Sequence, residues 1–344
     1  MRSIKNCLAA TATLLVAACI GLVAGSAAEA QTPPGAKKQV SLRFSWKLKG
    51  EYGALYAALD KGYYAEEGLD VQLKEGAGIP AAFASLMKNE DQISWMPAIY
   101  LMQARSKGMP AKVIGMYNEA APIFMVSWPD KPIRTPKDME GKRIATAAGD
   151  TSAHFMPIIC KRNNVDCSKV QLVNLALGAQ VQAFIGKQVD GIGLYATNDL
   201  PIILAKNGKD NFVLMDQTKF GMRLPSGSLV ASDEMIAKDP ETLTKFIRAT
   251  NKGMEFVRKD PMEGAKSMLK FWKASLEPEI VAEQIKAGVV SMPDYKGKPV
   301  GYIDVNLMRA ALNDLKESGM IDDILPLESY YTNSLVEGSI AKTN

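Results

Sequence analysis

Histidine is almost absent from this sequence, since His154 is the only one among 344 residues. A single histidine cannot supply the His cluster of a metal site, and Cys160 and Cys167 do not have the spacing of zinc ligands. The sequence also lacks a GxxxxGK(S/T) phosphate loop, a GxSxG nucleophile elbow and any Ser-His-Asp or Cys-His set. We therefore expect a protein that is not an enzyme, with no catalytic residues, no cofactor and no metal ion.

An uninterrupted apolar run long enough to cross a membrane is also missing. The most apolar segment, residues 8–23, is broken by Thr, Cys and Gly. Arg2 and Lys5 precede it, and Ala-Glu-Ala at residues 28–30 follows it as a small-x-small cleavage site. This pattern predicts a secretory signal peptide over residues 1–30 that is cleaved on export to the periplasm. A transmembrane anchor is the less favoured alternative.

Cysteine is scarce, and two of the four cysteines, Cys7 and Cys19, lie in the predicted signal peptide. Residues 16–19 (VAAC) resemble a lipoprotein signal, so acylation of Cys19 is a minority alternative that would tether the chain to a membrane. The remaining pair, Cys160 and Cys167, would lie in an oxidising compartment, which favours one disulfide bond between a helix end and the following loop. Two free thiols are the alternative.

Charge of one sign is not concentrated anywhere in the chain. The formal net charge is +4 at pH 7, with 41 Lys and Arg against 37 Asp and Glu. No run of five or more basic residues occurs, and the basic residues are scattered among acidic ones. We therefore expect no nucleic-acid partner.

The first regular hydrophobic pattern after the predicted signal peptide indicates a βαβ unit. Apolar and polar residues alternate over residues 40–46, and apolar residues then recur at helical spacing over residues 55–63 until Gly68 ends the helix. In open α/β sheets, ligands bind beyond the carboxyl ends of the strands. The loop at residues 46–53 is therefore the first candidate for a ligand site.

Strands and helices alternate in two series, separated by a segment rich in Pro and charge at residues 129–143. Two apolar runs, at residues 123–128 and 226–231, read as strands that cross between the series. The chain is almost wholly helical after them. This order predicts two lobes with a cleft between them: residues 38–125 and 229–335 form lobe 1, and residues 126–228 form lobe 2. Clefts between domains are preferred ligand sites.

Motifs that carry a family resemblance are spread over both series, from about residue 40 to about residue 330. They are Trp46 after the first strand, AALDKGYY at residues 57–64, EGLDV at 67–71, GKRI at 141–144, GKQVD at 186–190, ASDE at 231–234 and DPE at 239–241. With these motifs the chain resembles the substrate-binding proteins of ABC importers for thiamine-precursor pyrimidines such as hydroxymethylpyrimidine. Binders of sulfonate, taurine and nitrate are related to that family.

The resemblance implies an α/β, two-lobed type II periplasmic-binding-protein fold, with two parallel-type sheets flanked by helices, a central cleft and a helical C-terminal part. It also implies a monomer that delivers a small solute to a membrane permease and its ATPase, without chemistry on the solute. The fungal relatives that make the pyrimidine consume a histidine of their own and use a Cys-rich motif. This chain has one histidine and no Cys cluster, which argues against a synthase.

Aromatic and acidic side chains near the predicted strand ends are the first candidates for ligand binding. Trp46, Tyr52 and Trp95 could stack on a planar ring, since aromatic faces give large and directional contacts. Glu51, beside Tyr52, could accept hydrogen bonds from an amino group. The alternatives are ordinary packing for the rings and a solvated position for the glutamate.

A second group of candidates is polar and lies at helix starts or after strands. Gly78, Thr151 and Ser152 each begin or precede a helix, where free backbone N–H groups could hold an anionic or acceptor group. Helix capping alone would also explain Thr151 and Ser152. The other members of the group are His154, Asn118, Tyr195 and Asn198.

These candidates favour a planar heterocycle or another aromatic solute, captured for an ABC importer. No arginine lies in the loops assigned to the cleft, although its planar fork suits a sulfonate or carboxylate. An anion such as an aliphatic sulfonate, taurine or nitrate is therefore the alternative solute. From other functional classes, an exported enzyme or a sensor subunit could use the same cleft.

Overall fold

The structure is a computed structural model that describes residues 37–340. The predicted signal peptide, its cleavage site and the alternative acylation site Cys19 lie outside these residues. Within the described part of the chain, no helix is both long enough and apolar enough to span a bilayer.

Ten strands and fourteen helices alternate along residues 37–340 in the order that the hydrophobic pattern predicts. The strands are Lys38–Phe44 (β1), Leu69–Lys74 (β2), Ile93–Pro97 (β3), Ala111–Met116 (β4), Ile123–Ser127 (β5), Arg143–Thr146 (β6), Gln171–Asn174 (β7), Gly191–Tyr195 (β8), Val213–Asp216 (β9) and Gly227–Ser232 (β10). The helices are Gly53–Asp60 (α1), Tyr63–Glu66 (α2), Ile79–Met87 (α3), Ala98–Ser106 (α4), Thr151–His154 (α5), Met156–Arg162 (α6), Gln180–Ile185 (α7), Asp199–Asn207 (α8), Asp233–Lys238 (α9), Pro240–Lys259 (α10), Pro261–Leu269 (α11), Pro278–Val290 (α12), Val305–Glu317 (α13) and Ser334–Gly338 (α14).

The strands form two five-stranded sheets with the same layout. The first sheet has the order β2-β1-β3-β10-β4, and the second has the order β7-β6-β8-β5-β9. In each sheet the strand that arrives from the other series runs antiparallel to both neighbours: β10 lies between β3 and β4, and β5 lies between β8 and β9. The sheets are therefore mixed, and the parallel arrangement expected from the sequence holds for β1, β2 and β3 and for β6, β7 and β8.

The two crossing strands expected from the apolar runs are β5 and β10. The predicted lobe limit after residue 125 falls inside β5, which pairs only within the second sheet. The limit before residue 229 falls inside β10, which pairs only within the first sheet. By sheet membership, the chain passes from the first sheet to the second, and back again, a few residues earlier than the predicted lobe limits. The sequence could not show this, because a hydrophobic run does not indicate which sheet a strand joins. The lobe limits themselves stay a prediction.

Three hydrophobic clusters hold the sheets and helices together. One covers a face of the first sheet, where Leu42 and Phe44 pack under α1, α10 and α12. Another covers a face of the second sheet, around Phe184 and Ile192. The third contains side chains from both sheets as well as from α4, α6 and α13. This shared cluster therefore packs the two sheets against each other.

Residues 151–162 form two helices, α5 and α6, that are divided at Phe155. Pro157 lies in the first turn of α6, and a proline has no N–H to donate to residue 153 and would clash with its carbonyl in a continuous helix. The chain therefore starts a new helix there, with Phe155 fully buried. The expected disulfide between Cys160 and Cys167 is confirmed, and it ties the end of α6 to the next loop with the Cα atoms 5.8 Å apart.

Candidate ligand-binding cleft

A cavity of about 680 Å³ lies where strand ends of both sheets meet. Residues just after β1, β4, β6 and β8 line it, together with the start of β10. These positions follow from the topology, because parallel strands direct their carboxyl ends and the following loops to one edge of a sheet. The volume falls within the range of about 300–1,000 Å³ that small-molecule sites occupy.

Nine of the eleven ligand-binding residues predicted from the sequence lie in the wall of this cavity. They are Trp46, Glu51, Tyr52, Trp95, Asn118, Thr151, Ser152, Tyr195 and Asn198. Gly78 and His154 are not among its lining residues. The placement brings the nine together, while their roles toward a ligand stay a prediction.

His154 packs against α4 instead of facing the cavity. Its Nε2 atom is 2.8 Å from Gln103 Oε1, and its ring stacks on Tyr100 with centroids 5.1 Å apart. Burial lowers the pKa of the imidazole, and the charge of Lys107 adds to this effect. These contacts place the exposed histidine on the surface against α4, outside the cavity wall.

Gly78 brings the start of α3 close to the loop after β6. Its φ is +104°, and a Cβ there would lie 3.8 Å from the carbonyl oxygen of Ala148. The neighbouring contact is closer, because a Cβ on Gly149 would lie 3.3 Å from the Ile79 backbone nitrogen. Gly78 therefore belongs to a tight backbone approach beside the cavity, and not to its wall.

The aromatic side chains in the wall differ in how much of each ring is free. Tyr52 stacks on Phe44 with centroids 3.9 Å apart, and Trp95 stacks on Tyr117 with centroids 5.3 Å apart. Each of these two rings therefore has one face covered by the protein. Among residues 37–340, no aromatic ring stacks on Trp46, which is half-buried. Trp46 therefore offers ring surface that no other aromatic side chain of residues 37–340 covers.

Glu51 is held at the edge of the cavity by residues that follow β8. The hydroxyl of Thr197 donates to its carboxylate over 3.4 Å, and the amide of Asn198 donates over 3.5 Å. Burial raises the pKa of Glu51 to about 7, against the lowering effect of its hydrogen bonds. Lys49 is nearby but forms an ion pair with Asp199 at 2.6 Å. Among residues 37–340, no lysine or arginine forms an ion pair with the Glu51 carboxyl group.

Asp150 is a second acid in the wall, and the sequence analysis missed it. It caps α5 by accepting a hydrogen bond from the backbone nitrogen of Ala153 at 3.0 Å. Burial raises its pKa to about 6, and the capping hydrogen bonds only partly oppose this. Its position in the loop with Thr151 and Ser152 could have indicated it, since all three follow β6 directly.

Two buried polar atoms in the wall have no hydrogen-bond partner among the described residues: the hydroxyl of Tyr195 and Oδ1 of Asn198. Leaving such atoms unpaired is costly, so they are suited to meet polar atoms of a ligand. Other predicted residues already form hydrogen bonds within the protein. Ser152 accepts from Gln217 Nε2 at 2.8 Å, and the Asn118 amide donates to Ser291 Oγ at 2.6 Å.

Apolar residues line another part of the cavity, and the sequence analysis missed all of them. Leu177, Val181 and Ile202 come from the second-sheet side, and Trp272 and Leu276 come from the loop between α11 and α12. No local signal marks the last two, because they reach the cavity only through the packing of the C-terminal helices on the first sheet. The cavity thus combines a polar part around Glu51 and Asp150 with an apolar part.

Comparisons with known proteins agree with this architecture. Residues 50–264 match the profile of the family described as NMT1/THI5 like. A riboflavin-binding protein of Chloroflexus aurantiacus is 24% identical, over 94% of this chain and 95% of that protein. A formylaminopyrimidine-binding protein of Halalkalibacterium halodurans is 21% identical, over 68% of this chain and 71% of that protein.

Enzymes also occur among the relatives. A 4-amino-5-hydroxymethyl-2-methylpyrimidine phosphate synthase of Schizosaccharomyces pombe is 21% identical, over 72% of this chain and 73% of that protein. Among solved structures, the periplasmic aliphatic sulphonate-binding protein of Escherichia coli superposes with a TM-score of 0.66 at 12% identity, covering 86% of this chain and 97% of that one. The superposition shows that the fold is that of periplasmic binding proteins.

Proposed function

Because the chain belongs to the NMT1/THI5-like family, we propose that it is the solute-binding component of an ABC importer. After signal-peptide cleavage it works in the periplasm, captures a planar nitrogen heterocycle in the cavity and delivers it to a membrane permease. A thiamine-precursor pyrimidine and a larger ring system both belong to this ligand class. The ligands named for the riboflavin-binding and formylaminopyrimidine-binding relatives support the class without identifying the solute.

The observation that carries the proposal is the charge pattern of the cavity wall. Glu51 and Asp150 both face a cavity whose lining contains no arginine. Lys49 is paired with Asp199, and the other two lining lysines, Lys47 and Lys206, are exposed. Carboxyl groups accept hydrogen bonds from ring N–H and amino groups. The wall therefore suits a ligand that donates hydrogen bonds, as an amino-substituted heterocycle does.

The same pattern weighs against an anion as the solute. A sulfonate or nitrate is best held by a guanidinium fork or by several unpaired cations. Here the anion would face two carboxyl groups, which repel it when ionised. The likeness to a sulphonate-binding protein rests on the fold at 12% identity, so it supports the architecture and not the ligand.

A synthase is the candidate from another class, and the relatives named as synthases favour it. The position of His154 weighs against it. The only histidine of the chain contacts Gln103 and Tyr100 and does not line the cavity. A group that reacts with a bound solute would have to face the cavity. We therefore assign the cleft to binding.

A thermal-shift screen of the chain from residue 31 onward tests the ligand class. The probes are 4-amino-5-hydroxymethyl-2-methylpyrimidine, riboflavin, an aromatic acid, an alkanesulfonate, taurine and nitrate. A ligand at a hundredfold excess over its dissociation constant stabilises the protein by about 2.7 kcal/mol, which is readily detected. Stabilisation by a heterocycle supports the proposal, and stabilisation by the anions alone contradicts it. Turnover of any of these probes during incubation would instead support an enzyme.

The variant Glu51→Gln tests whether the charge pattern selects the ligand. It should weaken binding of the best heterocycle about tenfold or more, because a hydrogen bond to an ionised group contributes roughly 1.5–3 kcal/mol. The matched control is Glu66→Gln, since Glu66 is exposed and pairs with Lys252 outside the cavity. Equal affinity of the two variants for the heterocycle would contradict the role of Glu51.

A further inference from the structure

Two short segments meet across the edge of the cavity in an antiparallel arrangement. Residues 49–51 follow β1, and residues 197–199 follow β8. Lys49 pairs with Asp199 at 2.6 Å, and Glu51 accepts from Thr197 at 3.4 Å. The outer residues of one segment thus contact the outer residues of the other, in reverse order.

The middle residues, Gly50 and Asn198, are joined by a third side chain. Gln284 of α12 accepts a hydrogen bond from the Gly50 backbone nitrogen at 2.8 Å through Oε1, and its Nε2 donates to the Asn198 backbone oxygen. Its side chain is completely buried. We call the two segments together with Gln284 the clasp.

Crowding at Gly50 shows how closely the clasp is packed. A Cβ at residue 50 would lie 2.5 Å from Gln284 Cβ and 2.7 Å from the Val281 backbone oxygen. Only glycine allows the segment to approach α12 so closely. The contact therefore depends on both residues, although 234 positions separate them in the sequence.

We propose that Gln284 is the positioning residue that keeps the cavity closed by joining Gly50 of the first segment to Asn198 of the second. The inference rests on the proposed function, since it gives the clasp the task of retaining the solute. Glu51 and Asn198 belong to the clasp and also line the cavity. A solute that contacts either side chain therefore meets a segment that Gln284 holds in place.

The side-chain amide matches this task because it is acceptor and donor at once. Gly50 offers an N–H and Asn198 offers a carbonyl oxygen, and an amide pairs with both in a single orientation. A carboxylate at residue 284 would satisfy the N–H but place a second oxygen against the carbonyl. Alanine would leave both backbone groups without their partner. Gln284→Glu and Gln284→Ala therefore break the clasp in two different ways.

Hydrogen exchange of the ligand-free chain tests the proposal without a known solute. The reporters are the Tyr52 amide, which donates to Lys49 in the first segment, and the Asn198 amide, which donates to Tyr195 in the second. Both variants should speed exchange about tenfold in both segments, because opening one releases the other. Amides of β1 and β8 should keep their protection. Gln284→Glu keeps the length of the side chain, so it remains informative if Gln284→Ala folds poorly.

The matched control is Gln92→Ala, since Gln92 also accepts from a backbone nitrogen, that of Ser41 at 2.8 Å, but lies outside the clasp. This control should leave exchange in both segments unchanged. Faster exchange at residues 49–51 alone would show a local hydrogen bond and overturn the proposal. Faster exchange throughout the sheets would show a purely structural role and would overturn it as well. Failure of every heterocycle to bind would refute the ligand class but would not change this result.

Discussion

Trp95 stacks on Tyr117 with ring centroids 5.3 Å apart and planes inclined by 22°. The indole is nearly buried, at 4% exposure, and it belongs to the hydrophobic core while also lining the cavity. Trp46 lines the same cavity without a stacked partner among residues 37–340. The two tryptophans therefore contribute differently to folding and to binding.

The first prediction separates these contributions. Trp46→Ala should weaken binding of the best heterocycle at least tenfold, equal to about 1.4 kcal/mol, because a stacking surface is lost. The free energy of unfolding should change by less than about 1 kcal/mol, since the side chain is not in the core. Trp95→Ala should lower the free energy of unfolding by about 3–5 kcal/mol, because it leaves a cavity beside Tyr117. Urea denaturation and calorimetric titration measure the two quantities.

Tyr63→Ala is the control for the aromatic deletions, since Tyr63 is partly exposed and does not line the cavity. Its affinity for the heterocycle should equal that of the unmodified chain. Unchanged affinity in Trp46→Ala would refute the stacking role.

The second prediction concerns the pH dependence of stability. The pKa of Glu51 is raised by burial from 4.5 to about 7, so between these values the folded chain holds a proton that the unfolded chain has released. The contribution of Glu51 is therefore complete below pH 4.5 and is lost as the pH rises to 7, on the order of 3 kcal/mol. Glu51→Gln should remove this decrease. Urea denaturation from pH 4.5 to pH 7.5 gives the difference between the two proteins.

The comparison is made between variant and parent because other groups titrate in the same window. Asp150, whose pKa burial raises to about 6, contributes a decrease of the same sign in both proteins. The control Glu66→Gln should follow the parent. Parallel stability curves for Glu51→Gln and the parent would show that Glu51 is ionised normally in the folded state.

The sequence was sufficient for the order of the elements because hydrophobic periodicity is a local property. For example, the chain after residue 231 was expected to be almost wholly helical, and α10 spans Pro240–Lys259 there, with Asp239 capping its first turn. The division between α5 and α6 could have been expected too, since Pro157 is a local signal. Antiparallel insertion of β5 and β10 could not, because strand direction in a sheet depends on partners distant in sequence.

Side chains directly after strands were placed well because topology brings those loops to one edge. His154 lies outside the cavity wall, two residues beyond Ser152 on α5. At 3.6 residues per turn, two residues correspond to a rotation of about 200°, which turns the side chain away from the cavity. Gln284 and Leu276 had no signal at all, since Gln284 meets Gly50 and Leu276 reaches the cavity only through the packing of the C-terminal helices.

The third prediction concerns the disulfide bond between Cys160 and Cys167, whose sequence separation is 7. Closing so short a loop should stabilise the folded state by about 2–3 kcal/mol through the loss of chain entropy in the unfolded state. Replacing both cysteines by serine should lower the urea midpoint accordingly. Affinity for the heterocycle should not change, because neither cysteine lines the cavity. An unchanged midpoint would contradict the stabilising role, and a lower affinity would show coupling of α6 to the site.

The fourth prediction uses a glycine that makes room for the cavity wall. A Cβ at Gly227 would lie 2.2 Å from Asn118 Oδ1 and 2.7 Å from the Trp95 ring. Gly227→Ala should therefore displace two wall residues, weaken binding at least tenfold and lower the free energy of unfolding by about 1–3 kcal/mol through overpacking. Urea denaturation and calorimetric titration check both effects.

Gly338→Ala is the matched control, because a Cβ at the end of α14 would meet Thr244 at an ordinary 3.6 Å. It should leave affinity unchanged. Full affinity in Gly227→Ala would mean that Asn118 and Trp95 can shift without consequence, and then neither side chain contributes to the ligand contact. Loss of affinity with little loss of stability would instead show that the positions of Asn118 and Trp95 matter for ligand binding and contribute little to folding.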